Sequence, residues 1–349
     1  MADPVGRLIK KTILNPFLTL PVLLVAKYTP QGQAYTNVYG GAFKILQAFV
    51  GWGVLRVVNN YLTRRALSNG VSDKYDWKKE VVVITGGSDG IGKCVVDLLA
   101  EQDIKVAVLD IQSPKGETPD CVTYFKCDIS SSSDIAKAAS EVRAKLGDPT
   151  VLMNIAGVAN NKLILDTTEA ENRWLFDINQ LSHYILAREF VPSMVKNNHG
   201  SIISVASLAG YTGVTGNSDY AASKSAVISF HETLTAELVV CHQAPKIRTL
   251  LVTPAWVRTP LVGDMKPQGN QFFMYMLEPE TLAEAMVKKV LAGESGQIIL
   301  PGVFTLLVST MRAMPSWMSH AARLQPPLAA NRKWRKVADP NKMDRYVKN

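Results

Sequence analysis

From residue 80 to residue 300 the chain alternates short apolar runs with longer segments of helical pattern. The apolar runs EVVVITG, KVAVLD and GSIISVAS are short and rich in β-branched residues, which is typical of parallel strands covered on both faces. Segments such as KCVVDLLAEQ and PETLAEAMVKKVLAG between them read as helices. Repeated alternation of this kind predicts an α/β fold, a doubly wound parallel sheet, as a single domain over residues 77–300.

The first 76 residues have a different character and are predicted to be an extension that associates with a membrane. The uncharged run TILNPFLTLPVLLVA contains Pro16 and Pro21 and is shorter than the roughly 18 to 20 residues that cross a bilayer as a helix. No small-x-small cleavage site clearly follows it, which disfavours a secretory signal peptide. The polar stretch LSNGVSDKYDW, residues 67–77, marks the boundary to the α/β domain.

A second N-terminal segment, residues 44–66, has apolar residues at three- and four-residue steps. This spacing predicts an amphipathic helix, either lying in the membrane interface or packed on the protein's own core. The preceding apolar run favours the membrane. The apolar positions are Ile45, Phe49, Trp52, Leu55, Val58 and Leu62.

The net charge of +8 is concentrated toward the two ends of the chain. Basic residues beside apolar segments fit an anionic membrane surface better than nucleic acid, for which no recognisable motif is present. Residues 301–349 are predicted to be an apolar segment followed by a basic tail. The apolar part fits a lid, a subunit contact or a second membrane contact equally well.

The cysteines and histidines do not indicate a metal site. The four cysteines form no CxxC pair, and no HExxH motif occurs among the five histidines. Free thiols in a reducing compartment and no bound metal are therefore expected.

The first predicted strand ends in TGGSDGIG, residues 85–92, and leads directly into a helix. Its glycines, Gly86, Gly90 and Gly92, suit a tight turn that a ligand approaches closely, and the helix start offers N–H groups to phosphate. Between a strand and a helix, the expected anion is the pyrophosphate of a dinucleotide. Ser88 and Ile91, within the same loop, are assigned to this cofactor site.

Asp110 ends the second predicted strand, eighteen residues beyond Gly92. An acidic residue there accepts hydrogen bonds from the ribose hydroxyls of the adenosine and repels a 2′-phosphate. Asp89 adds a second negative charge to the loop, and no arginine adjoins either aspartate. These residues favour NAD over NADP, which is not excluded. As an isolated observation, Asp110 is equally consistent with an ordinary turn residue at a strand end.

Tyr220 and Lys224 lie four residues apart at the start of a predicted helix, where the two side chains share one face. Alone, such a pair is common. Here it follows an ordered set of motifs with which the chain resembles the short-chain dehydrogenase/reductase family over residues 78–300. The motifs are TGGSDGIG, CDIS, NIAG, FDINQL, SVASLAG, YAASK and PAWVRTP.

The resemblance implies a Rossmann fold and a proton relay. In this family Ser207, thirteen residues before Tyr220, would hold the substrate oxygen, with Ser204 as its nearby alternative. Tyr220 would act as general acid or base, Lys224 would favour its phenolate and hold the nicotinamide ribose, and Asn179 would position a water.

The resemblance also implies five further contacts with the cofactor. Asp128 would lie near the adenine, Asn154 and Gly157 beside the adenosine ribose, and Val257 and Thr259 near the nicotinamide amide and the diphosphate.

Two positions depart from the family's pattern. Ile155 replaces a common asparagine, and Ala255 replaces the glycine that usually follows the proline. Neither change removes a group assigned to catalysis.

The segment after the sixth strand usually closes the substrate pocket in this family, and here it contains the apolar run Phe272–Leu277. Together with the N-terminal extension, this run suggests a lipophilic hydroxyl or carbonyl compound. The chain looks like the membrane-associated branch that acts on retinoids, steroids and long-chain lipids; a secondary-metabolite intermediate fits as well. Core packing is the alternative explanation of the run.

The expected protein is a homodimeric oxidoreductase on the endoplasmic reticulum or a lipid droplet, with its catalytic domain in the cytosol. One alternative is a catalytically idle dinucleotide-binding sensor or scaffold. Another is a soluble enzyme whose N-terminal helices join subunits.

Overall fold

The computed structural model describes residues 8, 11–114, 116–263, 276–302, 304–305, 310 and 313–324. The chain divides into a unit that ends at Gly70 and a unit that begins at Val71. The described part of the first unit contains three helices, α1 (Pro16–Tyr28), α2 (Pro30–Val38) and α3 (Gly40–Leu67).

Polar caps and prolines set where the first two helices begin. The side chain of Asn15 accepts the N–H of Phe17 at the start of α1, and Thr29 accepts the N–H of Gly32 at the start of α2. A proline occupies the first position of each helix, where its missing N–H costs nothing. Most of the apolar N-terminal run thus lies in α1, and the polar helix α2 follows it before α3.

Helix α3 carries apolar side chains on most of its surface. Only Val50 and Gly53 are buried, and the whole predicted apolar stripe, from Ile45 to Leu62, is exposed. Among the described residues, α3 is the one helix that is long and apolar enough to cross a membrane, as judged by length and composition.

The second unit alternates strands and helices, as the sequence predicted. The strands are β1 (Val81–Thr85), β2 (Lys105–Asp110), β3 (Val122–Lys126), β4 (Val151–Asn154), β5 (Ser201–Val205), β6 (Arg248–Pro254) and β7 (Gly296–Leu300). The helices are α4 (Gly90–Ala100), α5 (Ser132–Leu146), α6 (Glu169–Phe176), α7 (Ser182–Asn197), α8 (Ser218–Val240), α9 (Pro279–Leu291) and α10 (Ser316–Arg323). Short 3₁₀ turns lie at Ile164–Asp166 and Leu208–Gly210.

The seven described strands form one sheet in the order β3-β2-β1-β4-β5-β6-β7, and every neighbouring pair is parallel. The order reverses between β1 and β4, so Thr85 and Asn154, which are in register, end the two strands at the switch point. A crevice for a ligand forms at such a point outside the carboxyl ends of the strands. The predicted doubly wound α/β fold is confirmed.

Alternate residues of the strands bury into two separate core layers. Val82 and Ile84 of β1 pack in the layer that contains Val95 of α4 and Met286 of α9. Val83, between them, faces the layer that contains side chains of α5 and α7. Both faces of the sheet are therefore covered, which explains why the central strand β1 is buried along its whole length.

The helical segment 169–197 contains a π-helical turn. Helix α6 ends at Phe176, Asp177–Leu181 form the π turn, and α7 follows without a break. Such turns insert one residue into a helix and frequently occur at functional sites. Asn179 lies within this one.

The residues just before β1 are fixed to the amino-terminal edge of the sheet. The Tyr75 hydroxyl donates to the carbonyl of Gly200 at 2.7 Å, and the ring of Tyr75 stacks on Trp77. The His199 ring contacts the carboxylate of Asp73 at 2.7 Å and that of Glu80 at 3.1 Å. Burial lowers the pKa of His199, but the hydrogen bonds to Asp73 and Glu80 outweigh it, so the net shift is upward.

We expect the contribution of His199 to stability to decline as pH rises. Because its folded-state pKa is raised, this contribution is full below its unfolded pKa of about 6.5 and is lost as pH rises through the folded value. His199→Gln should lower Tm by about 2 °C at pH 6 and by less at pH 9. Thermal melts at both values check this, with the exposed His242→Gln as control. An equal loss at both values would contradict the ion-pair account.

Candidate active site

Two positions in the loop between β1 and α4 favour glycine for steric reasons. Gly86 has a φ of +71°, a left-handed conformation that side chains disfavour. A Cβ on Gly92 would lie 2.1 Å from the carbonyl oxygen of Gly86, so only glycine fits there. Asp89 caps α4 by accepting the N–H of Gly90 at 2.7 Å. The loop brings main-chain N–H groups to the start of the helix, where anions bind.

Asp110, predicted to contact the adenosine ribose, lies beside this loop. Its two carboxylate oxygens accept the N–H groups of Ser88 and Gln112, each at 3.0 Å. The Ser88 hydroxyl donates to the Gln112 carbonyl at 2.7 Å, which fixes the loop to the end of β2. A carboxylate has about four acceptor positions, so Asp110 can also accept from a diol such as a ribose.

The remaining loop positions have packing roles. Ile91 is half-buried and packs on the core layer beneath α4. Gly90 faces Thr259, whose methyl group is 3.3 Å from where a Cβ of Gly90 would lie. Val257, two residues before Thr259, is buried and forms a parallel bridge with Leu277. The segment directly after β6, residues 255–259, therefore lies against the glycine loop.

The turn that leaves β4 connects the glycine loop to the predicted catalytic helix. The Thr85 hydroxyl accepts the N–H groups of Ile155 and Ala156 at 3.1 and 3.2 Å. A Cβ on Gly86 would lie 3.0 Å from the Cα of Ala156, and one on Gly157 would lie 3.3 Å from Lys224 Nζ. The backbone of this turn therefore packs closely against Gly86 on one side and against Lys224 on the other.

Asp128 stands at the carboxyl end of β3 and orders the start of α5. Its Oδ1 accepts the N–H of Ser130 at 3.1 Å and the Ser130 hydroxyl at 2.7 Å. The carboxylate therefore faces the same edge of the sheet as Asp110.

Ser207, Tyr220 and Lys224 come together at the carboxyl end of β5. The Ser207 hydroxyl lies near the Tyr220 phenol, donates to the carbonyl of Pro254 at 3.5 Å and accepts the N–H of Ala209 at 3.2 Å. Lys224 Nζ lies 5.7 Å from the centroid of the Tyr220 ring and donates to the carbonyl of Val205 at 2.9 Å. Ser204, the alternative to Ser207, instead bonds the ring of His231.

Burial shifts the pKa values of both residues of the pair. Burial raises the pKa of Tyr220, and the nearby Ser207 hydroxyl offsets part of that rise. It lowers the pKa of Lys224 to about 8. At neutral pH the site therefore contains a protonated phenol and an ammonium ion, the states needed to give a proton to a carbonyl oxygen.

Asn179, in the π turn, is fully buried and satisfied by protein groups. Its Oδ1 accepts the N–H of Val158 at 2.8 Å, and its Nδ2 donates to the Val158 carbonyl at 2.9 Å and to Ser223 Oγ at 3.0 Å. A Cβ on Gly157 would lie 3.4 Å from Asn179 Oδ1, so this oxygen borders the same space as Lys224. Asn179 thus joins the turn after β4 to α8.

Two features of the site were missed from the sequence. Asp219 is buried and accepts the N–H of Tyr220 at 2.8 Å and the amide of Asn160 at 2.7 Å, which holds the first turn of α8. Its position directly before the tyrosine was the available signal. The second is Thr85, the first residue of the glycine motif, whose hydroxyl holds the turn after β4.

Most of the predicted substrate segment, including Phe272–Tyr275, lies outside the described residues. Leu277, at its end, is buried in the core, and its N–H donates to the Trp256 carbonyl. From the apolar segment after residue 300, α10 is described; its Trp317 is exposed, and the carbonyl of Arg323 accepts the Thr215 hydroxyl at 3.5 Å. The basic tail from residue 325 lies outside the described residues.

The described residues contain no group of three or more histidines, cysteines or acids that could hold a metal ion. The four cysteines are free thiols.

The packing at Gly92 predicts a strong effect of a single methyl group. Gly92→Ala should weaken NADH binding by at least about tenfold, because the new Cβ displaces the backbone of the loop. Gly213→Ala, where a Cβ meets no atom within 4 Å, is the matched control and should bind normally. Fluorescence titration with NADH measures both; equal affinities would contradict the role given to the loop.

Comparison with known proteins supports the family that the motifs indicated. The family model described as short chain dehydrogenase matches residues 80–270. A protein named Dehydrogenase RED2 from Cochliobolus heterostrophus is 43% identical over 201 residues, 57% of this chain and 76% of the relative. Human estradiol 17-beta-dehydrogenase 11 is 32% identical over 244 residues, 68% of this chain and 79% of the relative.

A solved structure shows the same fold. A short chain dehydrogenase from Burkholderia cenocepacia in complex with NADP aligns with a TM-score of 0.59 and 23% identity, over 71% of this chain and 99% of that one. The family model and the two relatives confirm the predicted family, and the estradiol dehydrogenase confirms the predicted branch. The chain belongs to the short-chain dehydrogenase family and is an NAD(P)-dependent oxidoreductase.

Proposed function

We propose that this protein interconverts a hydroxyl and a carbonyl group on a lipophilic small molecule. The observation that carries the proposal is the joint placement of the Ser207 hydroxyl, the Tyr220 phenol and the Lys224 ammonium, next to a loop suited to a dinucleotide. The proposed substrate classes are retinoids, steroids, long-chain lipids and secondary-metabolite intermediates.

Each residue has a distinct proposed task. Ser207 and Tyr220 donate hydrogen bonds to one substrate oxygen, and Tyr220 gives its proton to that oxygen in reduction or removes it in oxidation. Lys224 stabilises the phenolate that remains, since a positive charge nearby lowers the pKa of a phenol. The bound nicotinamide supplies or accepts the hydride. Asn179 completes the proton path beside Lys224 and holds the Val158 turn.

A cofactor fits the residues that surround the turn after β4. The proposed cofactor contacts are Gly86, Ser88, Gly90, Ile91, Gly92, Asp110, Asp128, Asn154, Gly157, Tyr220, Lys224, Val257 and Thr259. Because Asp110 has acceptor positions for a ribose diol and no arginine adjoins it in sequence, we propose NAD as the preferred cofactor. The Burkholderia relative binds NADP, so the fold itself does not decide between them.

The substrate class is proposed from the branch and from the apolar segments. The estradiol dehydrogenase acts, by its name, at a hydroxyl of a steroid. The test is a panel of retinoid, steroid and long-chain aldehydes or ketones, with loss of NADH fluorescence as the readout. An idle sensor or scaffold is the alternative function; it would bind NADH and turn over no member of the panel.

We further propose that the N-terminal unit attaches the protein to the endoplasmic reticulum or a lipid droplet, with the catalytic domain in the cytosol. Helix α3 has 28 residues and would extend about 42 Å, longer than the hydrocarbon core of a bilayer. Its side chains are mostly exposed. We also propose a homodimer, for which Leu181 and Tyr184, both nearly half exposed at the start of α7, offer an apolar surface.

Tyr220→Phe should lower kcat by about a hundredfold or more, because it removes the proton donor and leaves the ring in place. NADH affinity should stay within about threefold. Tyr211→Phe, a half-buried tyrosine that bonds Gln297, is the matched control and should retain activity. Turnover of any accepted panel member measures the effect; full activity in Tyr220→Phe would show that the mechanism is wrong.

Asp110→Ser should weaken NADH binding by about tenfold and strengthen NADPH binding, because it removes an ionised acceptor and its repulsion of the 2′-phosphate. Asp89→Ser removes the same charge from the loop but not the predicted ribose contact, so it should change the NADH to NADPH ratio less. Parallel titrations with both cofactors decide the point. An unchanged ratio in Asp110→Ser would contradict the predicted preference.

Alkaline carbonate should leave the full-length protein in the membrane pellet and release a variant that lacks residues 1–66. A subunit interface formed by the N-terminal helices would instead let the full chain appear in the supernatant. Immunoblots of the two fractions provide the measurement.

A further inference from the structure

His183 is a buried imidazole to which the proposed mechanism gives no task. It lies on α7, one helical turn after Asn179, and is 2% exposed. Burial, with a smaller effect of the Lys224 ammonium, lowers the pKa of His183 to about 3. The ring is therefore neutral at physiological pH, and one of its nitrogens is a hydrogen-bond acceptor.

The polar partner of His183 is Asn154, the last residue of β4. Asn154 Nδ2 lies 3.4 Å from His183 Nδ1, and both side chains are buried. The other end of the amide, Asn154 Oδ1, is buried with no hydrogen-bond partner among the described residues. The orientation of this amide therefore depends on His183 alone, since an amide donates only through nitrogen.

The turn that begins at Asn154 is the one that packs on the glycine loop. The next two N–H groups bond Thr85, and Ala156 contacts Gly86. The π turn and helix α7 thus reach this turn at two points, the π turn through Asn179 at Val158 and α7 through His183 at Asn154. A displacement of the turn at Asn154 or at Val158 would therefore also displace the glycine loop that packs on Ala156.

We propose that His183 is a positioning residue for the dinucleotide: its Nδ1 fixes the Asn154 amide and, through the turn that follows, the shape of the glycine loop. Without that acceptor both ends of a buried amide lack partners, and the turn moves to relieve the loss. The inference rests on the proposed assignment of this turn to the cofactor.

The neighbouring strand supplies a matched control. His231, on α8, is also buried, and its Nδ1 bonds Ser204 Oγ at 3.0 Å. Ser204 lies beside Asn154 in register, on β5. The two imidazoles thus bond adjacent positions of the sheet, but only Asn154 begins the turn that packs on Gly86. Replacing His231 should lower stability and leave cofactor binding unchanged.

The test compares His183→Leu, His183→Asn and His231→Leu in the full-length protein, with NADH as the probe. His183→Leu should raise the Kd for NADH about tenfold, with kcat at saturating NADH within about twofold of wild type. In His183→Asn, whose Oδ1 can replace Nδ1 as acceptor, the Kd should return close to the wild-type value. His231→Leu should bind NADH normally, although its Tm falls.

Three results would overturn the inference. An unchanged Kd in His183→Leu would leave a purely structural role. An equal Kd increase in His183→Asn would exclude the acceptor as the cause, and one in His231→Leu would indicate general loosening of the sheet.

A second variant is needed if His183→Leu does not fold. His183→Gln, whose acceptor cannot occupy the Nδ1 position, should then bind NADH more weakly than His183→Asn; equal affinities of these two variants would also overturn the inference. Failure of the wild-type protein to bind NADH would instead refute the cofactor assignment.

Discussion

The turn after β4, residues 154–158, is packed so closely on both sides that it sets the spacing of the whole site. On one side Ala156 touches Gly86, and on the other Gly157 lies against Lys224 and Asn179. A single layer of backbone therefore separates the glycine loop from the catalytic helix. Because β4 lies at the switch point of the sheet, this layer stands where the crevice opens. A side chain added at Gly86 or at Gly157 would push the glycine loop and the catalytic helix apart.

The packing around this turn also buries the positive charge of Lys224. Taking an ammonium ion out of water is costly, and the lowered pKa of Lys224, about 8, reflects that cost. The Val205 carbonyl offsets part of it, while burial keeps His183 and His231 neutral, with pKa values of about 3 and 4. Neither His183 nor His231 therefore adds a second positive charge near Tyr220 and Lys224. The polar groups beneath the site thus preserve the charge that the proposed chemistry requires.

The fold could be predicted because its signals are local and repeated. Every predicted strand and helix between residues 80 and 300 has a counterpart, since buried parallel strands need uniformly apolar runs. The π turn at Asn179 was not predicted, because one inserted residue hardly alters helical periodicity. The order around residues 71–80 was not predicted either. That stretch reads as polar, yet Tyr75, Trp77 and Glu80 each bond a residue that is more than 100 positions away in sequence.

The candidate site was predictable to the extent that its residues lie in contiguous motifs. Tyr220 and Lys224 share a helix face, and Ser207 precedes them at the spacing of the family. His183 and Asp219 carry no such signature, because a buried histidine or aspartate in a sequence resembles any other polar residue. Their roles depend on contacts with Asn154 and Asn160, which are distant in sequence or belong to another element. Burial and distances, rather than residue type, identify them.

The most direct measurement follows a hydrogen atom from cofactor to substrate. The purified protein would be incubated with NADH that carries deuterium at both C4 positions and with the panel of lipophilic aldehydes and ketones. Mass spectrometry would then be used to search for alcohol products. The account predicts an alcohol with one deuterium on the carbinol carbon, formed in step with NADH oxidation by the wild-type protein. NADH binding without any labelled alcohol, across a panel that spans the proposed classes, would contradict it.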